Sequence, residues 1–168
     1  MSAAPRVLVI GYGNPLRRDD GVGPPAAAAV ASWQLPGVVA REVYQLVPEL
    51  ADDLSRVEWA LFVDASLDTS EVHACEAAPS PAPACLDHTS DPARLLALTA
   101  AVYGRRPRAW LLTVPAADFG FGEALSPASE DGLRSALAWA RAWLEERGVP
   151  VGDGDGRPSR ELKWLMNR

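Results

Sequence analysis

The sequence predicts an α/β fold, a three-layer αβα sandwich with a mostly parallel five-stranded sheet and one antiparallel edge strand. Continuous apolar and β-branched runs such as residues 6–10 are typical of strands buried on both faces. Helical segments alternate with these runs along the chain, which favours parallel pairing. Only about seven residues, 65–71, follow the third run before the fourth begins. That connection is too short for a parallel crossover, so the fourth strand is expected to be antiparallel and at an edge.

Five strands are predicted from the apolar runs, at residues 6–10, 38–44, 59–63, 72–77 and 108–114. A helix is predicted between the first two runs, from Pro24 to about Trp33, because prolines are tolerated at helix starts. A short helix beginning near Pro48 would place Leu50 and Leu54 on one face.

Two longer helices are predicted from residues that are typical of helix starts and ends. Asp91 is expected to cap a helix over residues 92–103, which Gly104 ends. The last helix is expected to begin at Pro127 after Ser126 and to end before residue 148. Its apolar stripe consists of Leu133, Leu137, Ala140 and Leu144.

Length and composition limit the possible functions. The 168 residues suit one domain, expected over residues 1–150, followed by a flexible tail over 151–168. The net charge of -6 argues against nucleic acid as a partner. No apolar stretch is long enough for a membrane span, and no export signal precedes the first strand. With two cysteines only, a cytoplasmic location is expected. The oligomeric state is left open.

Three chain segments carry candidate functional residues to the carboxyl ends of the strands, where open parallel sheets bind ligands. The segment 11–23 contains Asp20, the third strand leads to Asp64, and the loop before the third helix contains His88. Two carboxylates and an imidazole suit a borderline divalent cation such as nickel or zinc. Three ligands leave coordination positions open, which indicates a place where metal meets substrate rather than a permanent metal site.

Several alternatives remain open at this point. Asp19 could cap the first helix, and Asp64 could be an ordinary turn former. Gly11 and Gly13 could be half of a dinucleotide fingerprint, although its third glycine would fall at Leu16.

Zinc is a further alternative. His73 and Cys75 on the fourth strand, with Cys85 and His88 ten residues further on, supply two nitrogen and two sulfur ligands.

The chain resembles the hydrogenase maturation proteases, which trim the C-terminus of the nickel–iron hydrogenase large subunit. Five motifs carry the resemblance, in the family's order: residues 11–23, 45–50, 62–65, 88–92 and 121–127. The segment 45–50, Gln-Leu-Val-Pro-Glu-Leu, is most similar to the branch serving NAD-linked bidirectional hydrogenases. The tail after Pro150 lies outside the resemblance.

The resemblance implies an endopeptidase of the aspartyl type whose metal belongs to its substrate. Nickel already inserted in the large-subunit precursor would be contacted by Asp20, Asp64 and His88, and no permanent cofactor is expected. Asp20 replaces the glutamate that is common in the family, which shortens the side chain by one methylene and keeps the carboxylate. Asp20 or Asp64 would assist a water molecule as general base. The backbone around Gly11, Gly13 and Asn14 would bind the peptide. The alternative is a chaperone that binds the nickel-loaded precursor without cutting it.

Overall fold

A five-stranded sheet organises the part of the chain that the structure describes, residues 6–80 and 91–152 of a computed structural model. The strands are β1 (Val7–Tyr12), β2 (Val38–Val43), β3 (Trp59–Ser66), β4 (His73–Ala77) and β5 (Arg108–Pro115). The helices are α1 (Gly23–Ser32), α2 (Leu50–Ser55), α3 (Pro92–Tyr103) and α4 (Pro127–Glu146). A 3-10 turn, Arg18–Val22, leads directly into α1.

The strand order is β2-β1-β3-β5-β4. Pairing is parallel between β1 and β2, β1 and β3, and β3 and β5, whereas β4 runs antiparallel to β5 at the edge. The predicted fold class is therefore confirmed, including the edge position of the fourth strand. The short connection after β3 cannot return the chain to the opposite end of the sheet, so β4 must start at the end where β3 stops.

Helices cover both faces of this sheet. The odd-numbered residues Val7 and Val9 of β1 pack with α1 and α4, and the even-numbered Leu8 and Ile10 pack with α2 and α3. All four side chains are buried, which explains why β1 reads as an uninterrupted apolar run. The three-layer arrangement follows from this two-sided burial.

The predicted helix ends are confirmed for the two longer helices. The carboxylate of Asp91 accepts a hydrogen bond from the N–H of Ala93 at the start of α3. Gly104 ends α3 in the left-handed conformation, with φ of 67°. The hydroxyl of Ser126 accepts a hydrogen bond from the N–H of Ser129 at the start of α4.

Two strands are longer than predicted. β1 continues to Tyr12, and β3 continues to Ser66 because β5 pairs with it as far as Pro115. Asp64 therefore lies inside a strand, paired with Thr113, and is not a turn former. The 3-10 turn was not predicted.

One residue of the predicted tail belongs to the packed part of the chain. Val151, the first residue of the predicted tail, is partly buried and packs against the core. Residues 153–168 of the predicted tail lie outside the described residues. No helix within residues 6–80 and 91–152 combines the length and apolar character needed to cross a membrane.

Candidate functional site

The sheet topology creates a crevice at the carboxyl end of β1, which lies between β2 and β3. α1, which follows β1, covers one face of the sheet, and α2, which follows β2, covers the other. The chain thus leaves β1 and β2 toward opposite faces, and a crevice opens outside the carboxyl ends of the strands at such a switch point. The predicted location of the site follows from this topology.

A groove of about 640 Å³ lies over this crevice and brings Asp20 and Asp64 together. Its lining comes from four places: the end of β1 with the following turn, the segment after β2, the end of β3 and the segment after β5. The residues are Tyr12, Gly13, Asn14, Arg17, Asp20, Tyr44, Gln45, Asp64, Ala65, Ser66, Leu67, Asp68 and Phe119.

Asp64 is held in a partly buried position beside Tyr12. The register between β1 and β3 pairs Gly11 with Val63, so Tyr12 and Asp64 are the next residues along each strand. The Tyr12 hydroxyl lies close enough to the Asp64 carboxylate to favour its charged form and lower its pKa. The N–H of Ala65 donates to Oδ1 of Asp64 at 2.8 Å. Asp64 is therefore oriented by both neighbours.

Burial dominates the electrostatics of this pair. The pKa of Asp64 is raised to about 6: desolvation is the largest cause, the charge of Asp20 adds to it, and the Tyr12 hydroxyl and the N–H of Ala65 act against it. Burial, together with the neighbouring Asp64 charge, also raises the pKa of Tyr12. Tyr12 consequently stays protonated at neutral pH and remains a hydrogen-bond donor. A carboxylate perturbed by burial and a charged neighbour in a cleft is a typical functional-site feature.

Removing the Tyr12 hydroxyl tests this description. In Tyr12→Phe, Asp64 loses a neighbouring hydroxyl that stabilises its charged form, so its pKa is expected to rise above that of the parent protein. Carboxyl ¹³C NMR titration of the metal-free protein measures the change. Tyr44→Phe is the matched control, because Tyr44 also lines the groove but is 57% exposed. An unchanged Asp64 titration in Tyr12→Phe would contradict the effect assigned to the Tyr12 hydroxyl.

Asp20 is held by the turn that follows β1. Its Oδ2 accepts a hydrogen bond from the N–H of Asn14 at 3.0 Å. The side-chain oxygen of Asn14 accepts in turn from the N–H of Leu16 at 2.9 Å, which fixes the turn. Gly13 and Asn14, both predicted as substrate-binding residues, line the groove beside Asp20.

Gly11 is not brought to the groove with them. A Cβ on Gly11 would lie 1.9 Å from the carbonyl oxygen of Gly23, and one on Gly13 would lie 1.8 Å from that of Asp20. Both glycines therefore let the segment 11–23 pack backbone against backbone. This packing accounts for them without a nucleotide phosphate, and the first helix is preceded by a 3-10 turn that a dinucleotide fingerprint lacks.

Asp19 does not cap α1. The helix begins at Gly23 without a side-chain cap. The Asp19 carboxylate instead hydrogen-bonds to Ala117, Asp118 and Ser126, about a hundred residues further along the chain. The capping alternative was wrong because these distant donors provide Asp19 with better partners than the short turn does.

His88, the third predicted metal contact, lies outside the described residues, as does Cys85. Their partners in the alternative zinc site, His73 and Cys75, are on β4, where Cys75 is exposed. Within residues 6–80 and 91–152, no three His, Cys, Asp or Glu side chains are grouped to hold a metal ion. Asp20 and Asp64 therefore form the described part of the predicted triad.

Sequence reasoning missed the other walls of the groove. Tyr12 could have been found from the sequence, because it follows residues 8 and 10 on the same face of β1 and lies at the end of that strand. Arg17 lies within the motif at residues 11–23, but nothing in the sequence assigned it to the site. Tyr44 and Phe119 lie outside the motifs, and only the tertiary fold brings their segments together. The guanidinium Nε of Arg17 donates to the carbonyl of Phe119 at 3.1 Å and so joins two of these walls.

Comparisons with known proteins agree on the fold. No protein-family model matches the chain, and no curated protein does. The solved structure of hydrogenase maturating endopeptidase HybD from Escherichia coli matches with a TM-score of 0.72 and 23% identity, over 90% of this chain and 99% of that chain. The NiFe hydrogenase maturation protease HybD from Thermococcus kodakarensis matches with a TM-score of 0.62 and 22% identity, over 82% and 98%.

A third solved structure, an endopeptidase from Escherichia coli determined in solution, has a TM-score of 0.68 and 24% identity. It is matched over 90% of this chain and 99% of that chain. The three matches cover 82–90% of this chain and nearly all of each solved structure, so they agree on the fold of most of the chain.

Proposed function

We propose that the protein is an endopeptidase that removes a C-terminal extension from a nickel-loaded hydrogenase large-subunit precursor. The observation that supports this most strongly is the groove that joins Asp20 and Asp64 in a chain whose fold matches hydrogenase maturation endopeptidases along nearly its full length. A groove open to solvent also suits a protein substrate, since an extended peptide can enter it from the side.

In this proposal the metal is part of the substrate. Asp20, Asp64 and His88 contact the nickel that the precursor already holds. Asp91 lies close enough to act on the Tyr12 hydroxyl by its charge. His88 precedes Asp91 by three residues, a length of chain that reaches at most about 10 Å. This short tether supports a role for the His88 imidazole at the same groove.

Chemistry at the peptide bond is assigned to the two carboxylates. Asp20 or Asp64 takes a proton from the attacking water as general base. Gly13 and Asn14 contact the peptide backbone along the floor of the groove. Contact with nickel fixes the precursor against these groups, so that the scissile bond is positioned only after metal loading. Cleavage is thereby made conditional on nickel insertion.

A processing assay with purified components tests the proposal. We expect the protein to shorten a nickel-loaded large-subunit precursor, as measured by mass spectrometry, and to leave the nickel-free precursor intact. Asp20→Asn, Asp64→Asn and His88→Ala are each expected to stay folded and to lose processing. His73→Ala is the control, because it removes the only other histidine of the chain.

Each contrary outcome has a distinct meaning. Tight binding of the nickel-loaded precursor with an unchanged mass would overturn the protease proposal in favour of a chaperone. Equal cleavage of nickel-free and nickel-loaded precursor would remove nickel from recognition. Full activity of His88→Ala would remove the imidazole from the site.

A further inference from the structure

A buried carboxylate outside the groove joins two distant segments of the chain. Asp19 has a relative exposure of 0%. Both of its oxygens accept hydrogen bonds from the segment 117–126, which connects β5 to α4. The donors are the N–H groups of Ala117 (2.7 Å), Asp118 (3.1 Å) and Ser126 (2.7 Å), and the Ser126 hydroxyl (2.7 Å).

These donors satisfy both oxygens of the carboxylate in its buried position. A buried carboxylate without such partners is strongly destabilising. The arrangement is therefore favourable only while the 3-10 turn and the segment 117–126 keep one fixed relative position.

Bracing of the two segments does not by itself require a carboxylate. Their backbones are already joined, since the N–H of Arg18 donates to the carbonyl of Gly122 at 2.8 Å and the N–H of Gly122 donates to that of Leu16 at 3.0 Å. The N–H of Asp19 adds a third bond, to the carbonyl of Asp118 at 3.1 Å. The buried carboxylate adds four hydrogen bonds to these three backbone bonds. It therefore fixes the position of the 3-10 turn more closely than the backbone bonds do alone.

Two residues held by this junction, Asp20 and Phe119, line the groove. Asp20 follows Asp19 directly, and its carboxylate accepts the hydrogen bond from Asn14. Phe119 lies within the segment that Asp19 holds, and its carbonyl accepts the hydrogen bond from Arg17. One groove carboxylate and one groove wall are thus attached to the same buried junction.

We propose that Asp19 is a positioning residue, which fixes the Asp20 carboxylate and the Phe119 wall relative to Asp64. This inference rests on the proposed function, because the fixed geometry serves the contact between Asp20 and the nickel-loaded precursor. Asp19 itself does not line the groove, so in this proposal it acts through Asp20 and Phe119.

Asp19→Asn tests the proposal with a minimal change of shape. The asparagine can accept hydrogen bonds at one oxygen only, and its amide group would face N–H and O–H donors that now meet a carboxylate oxygen. We expect the variant to fold with a lowered Tm. Well below that Tm, the cleavage rate at saturating nickel-loaded precursor is expected to fall by at least about tenfold, with the half-saturating concentration changed by less than about threefold.

A second readout does not depend on cleavage. The amide resonance of Asn14 reports the position of the Asp20 carboxylate, because that N–H donates to it. We expect this resonance to shift in ¹⁵N NMR spectra of Asp19→Asn and to stay unchanged in Asp118→Asn. Asp118→Asn is the matched control, since it removes a carboxylate of the same junction that is 51% exposed and pairs with Arg18.

The two readouts separate this proposal from the proposed function. A lowered Tm with unchanged cleavage and an unchanged Asn14 resonance would make Asp19 a bracing residue only and overturn the proposal. If the parent protein does not cleave the precursor, the Asn14 resonance still shows whether Asp19 positions the Asp20 carboxylate. Should Asp19→Asn fail to fold, Ser126→Ala removes one of the four bonds together with the side-chain cap of α4, and a smaller shift of the same resonance is expected. No shift there would overturn the proposal as well.

Discussion

Asp64→Asn is expected to abolish processing and, at the same time, to make the protein more stable at neutral pH. The carboxylate is partly buried, and desolvation raises its pKa from 3.8 to about 6. The ionised form therefore costs the folded state free energy that the unfolded chain does not pay. A shift of this size corresponds to roughly 2–3 kcal/mol. Asparagine keeps an acceptor oxygen for the N–H of Ala65 and carries no charge.

The raised pKa of Asp64 determines the pH range in which Asp64→Asn is more stable than the parent protein. Because the folded protein holds the proton of Asp64 more tightly than the unfolded chain does, the contribution of Asp64 to stability is favourable at low pH and is lost as the pH rises through about 6. The stability gained in Asp64→Asn should thus be largest above that pH, shrink below it and disappear near pH 4. Urea denaturation of both proteins across this range measures the gain.

A matched control isolates burial as the cause. Asp131→Asn also removes an aspartate charge, but the Asp131 side chain is 73% exposed, so its stability change should be small at every pH. A gain in Asp64→Asn that persists at pH 4 would show that something other than ionisation is responsible. A loss of stability near pH 7 would contradict the assigned desolvation.

The loss of activity in the same variant is expected to be about a hundredfold or more in cleavage rate, the ordinary contribution of a positioned acid or base. Mass spectrometry of nickel-loaded precursor over time measures it. Opposite effects on stability and activity are typical of a residue kept for function at a cost to the fold. A fully active Asp64→Asn protein would remove Asp64 from the mechanism.

The sequence was sufficient to predict the architecture for local reasons. Uninterrupted apolar strands such as β1 require helices on both faces, and the short connection after β3 requires an antiparallel strand. The same reasoning brought Asp20 and Asp64 to one groove, since each follows or ends a parallel strand whose carboxyl end faces the same edge. These predictions require only the pattern of apolar residues along the chain and the rules for connecting strands.

The partners of individual side chains could not be predicted in the same way. Asp19 and Ser126 are separated by 107 positions, and no local pattern links a carboxylate in a turn to the start of the last helix. Gly11 illustrates the same limit, because its close packing against Gly23 becomes visible only when the backbone is folded back on itself. Such contacts depend on three-dimensional proximity, which a motif indicates but does not specify.

Gly13→Ala is expected to destabilise the protein by about 3 kcal/mol or more, enough to unfold a large fraction of a marginally stable domain. Gly13 has φ of 141°, which alanine adopts only under strain. Its added Cβ would also lie 1.8 Å from the carbonyl oxygen of Asp20, a backbone atom that cannot move without shifting the 3-10 turn. Urea denaturation and circular dichroism measure the loss.

Two other glycines separate backbone strain from close approach of the added Cβ as causes of the destabilisation. Gly104 has φ of 67°, and an added Cβ there would meet nothing within 4 Å, so Gly104→Ala tests backbone strain alone and should cost about 1 kcal/mol. Gly23 has φ of -62°, but its Cβ would lie 2.2 Å from the carbonyl oxygen of Tyr12, so Gly23→Ala tests close approach alone. If Gly13→Ala were no worse than Gly104→Ala, the packing of β1 against the turn would not be rigid. Asp20 would then owe its position to the junction at Asp19 rather than to the glycines.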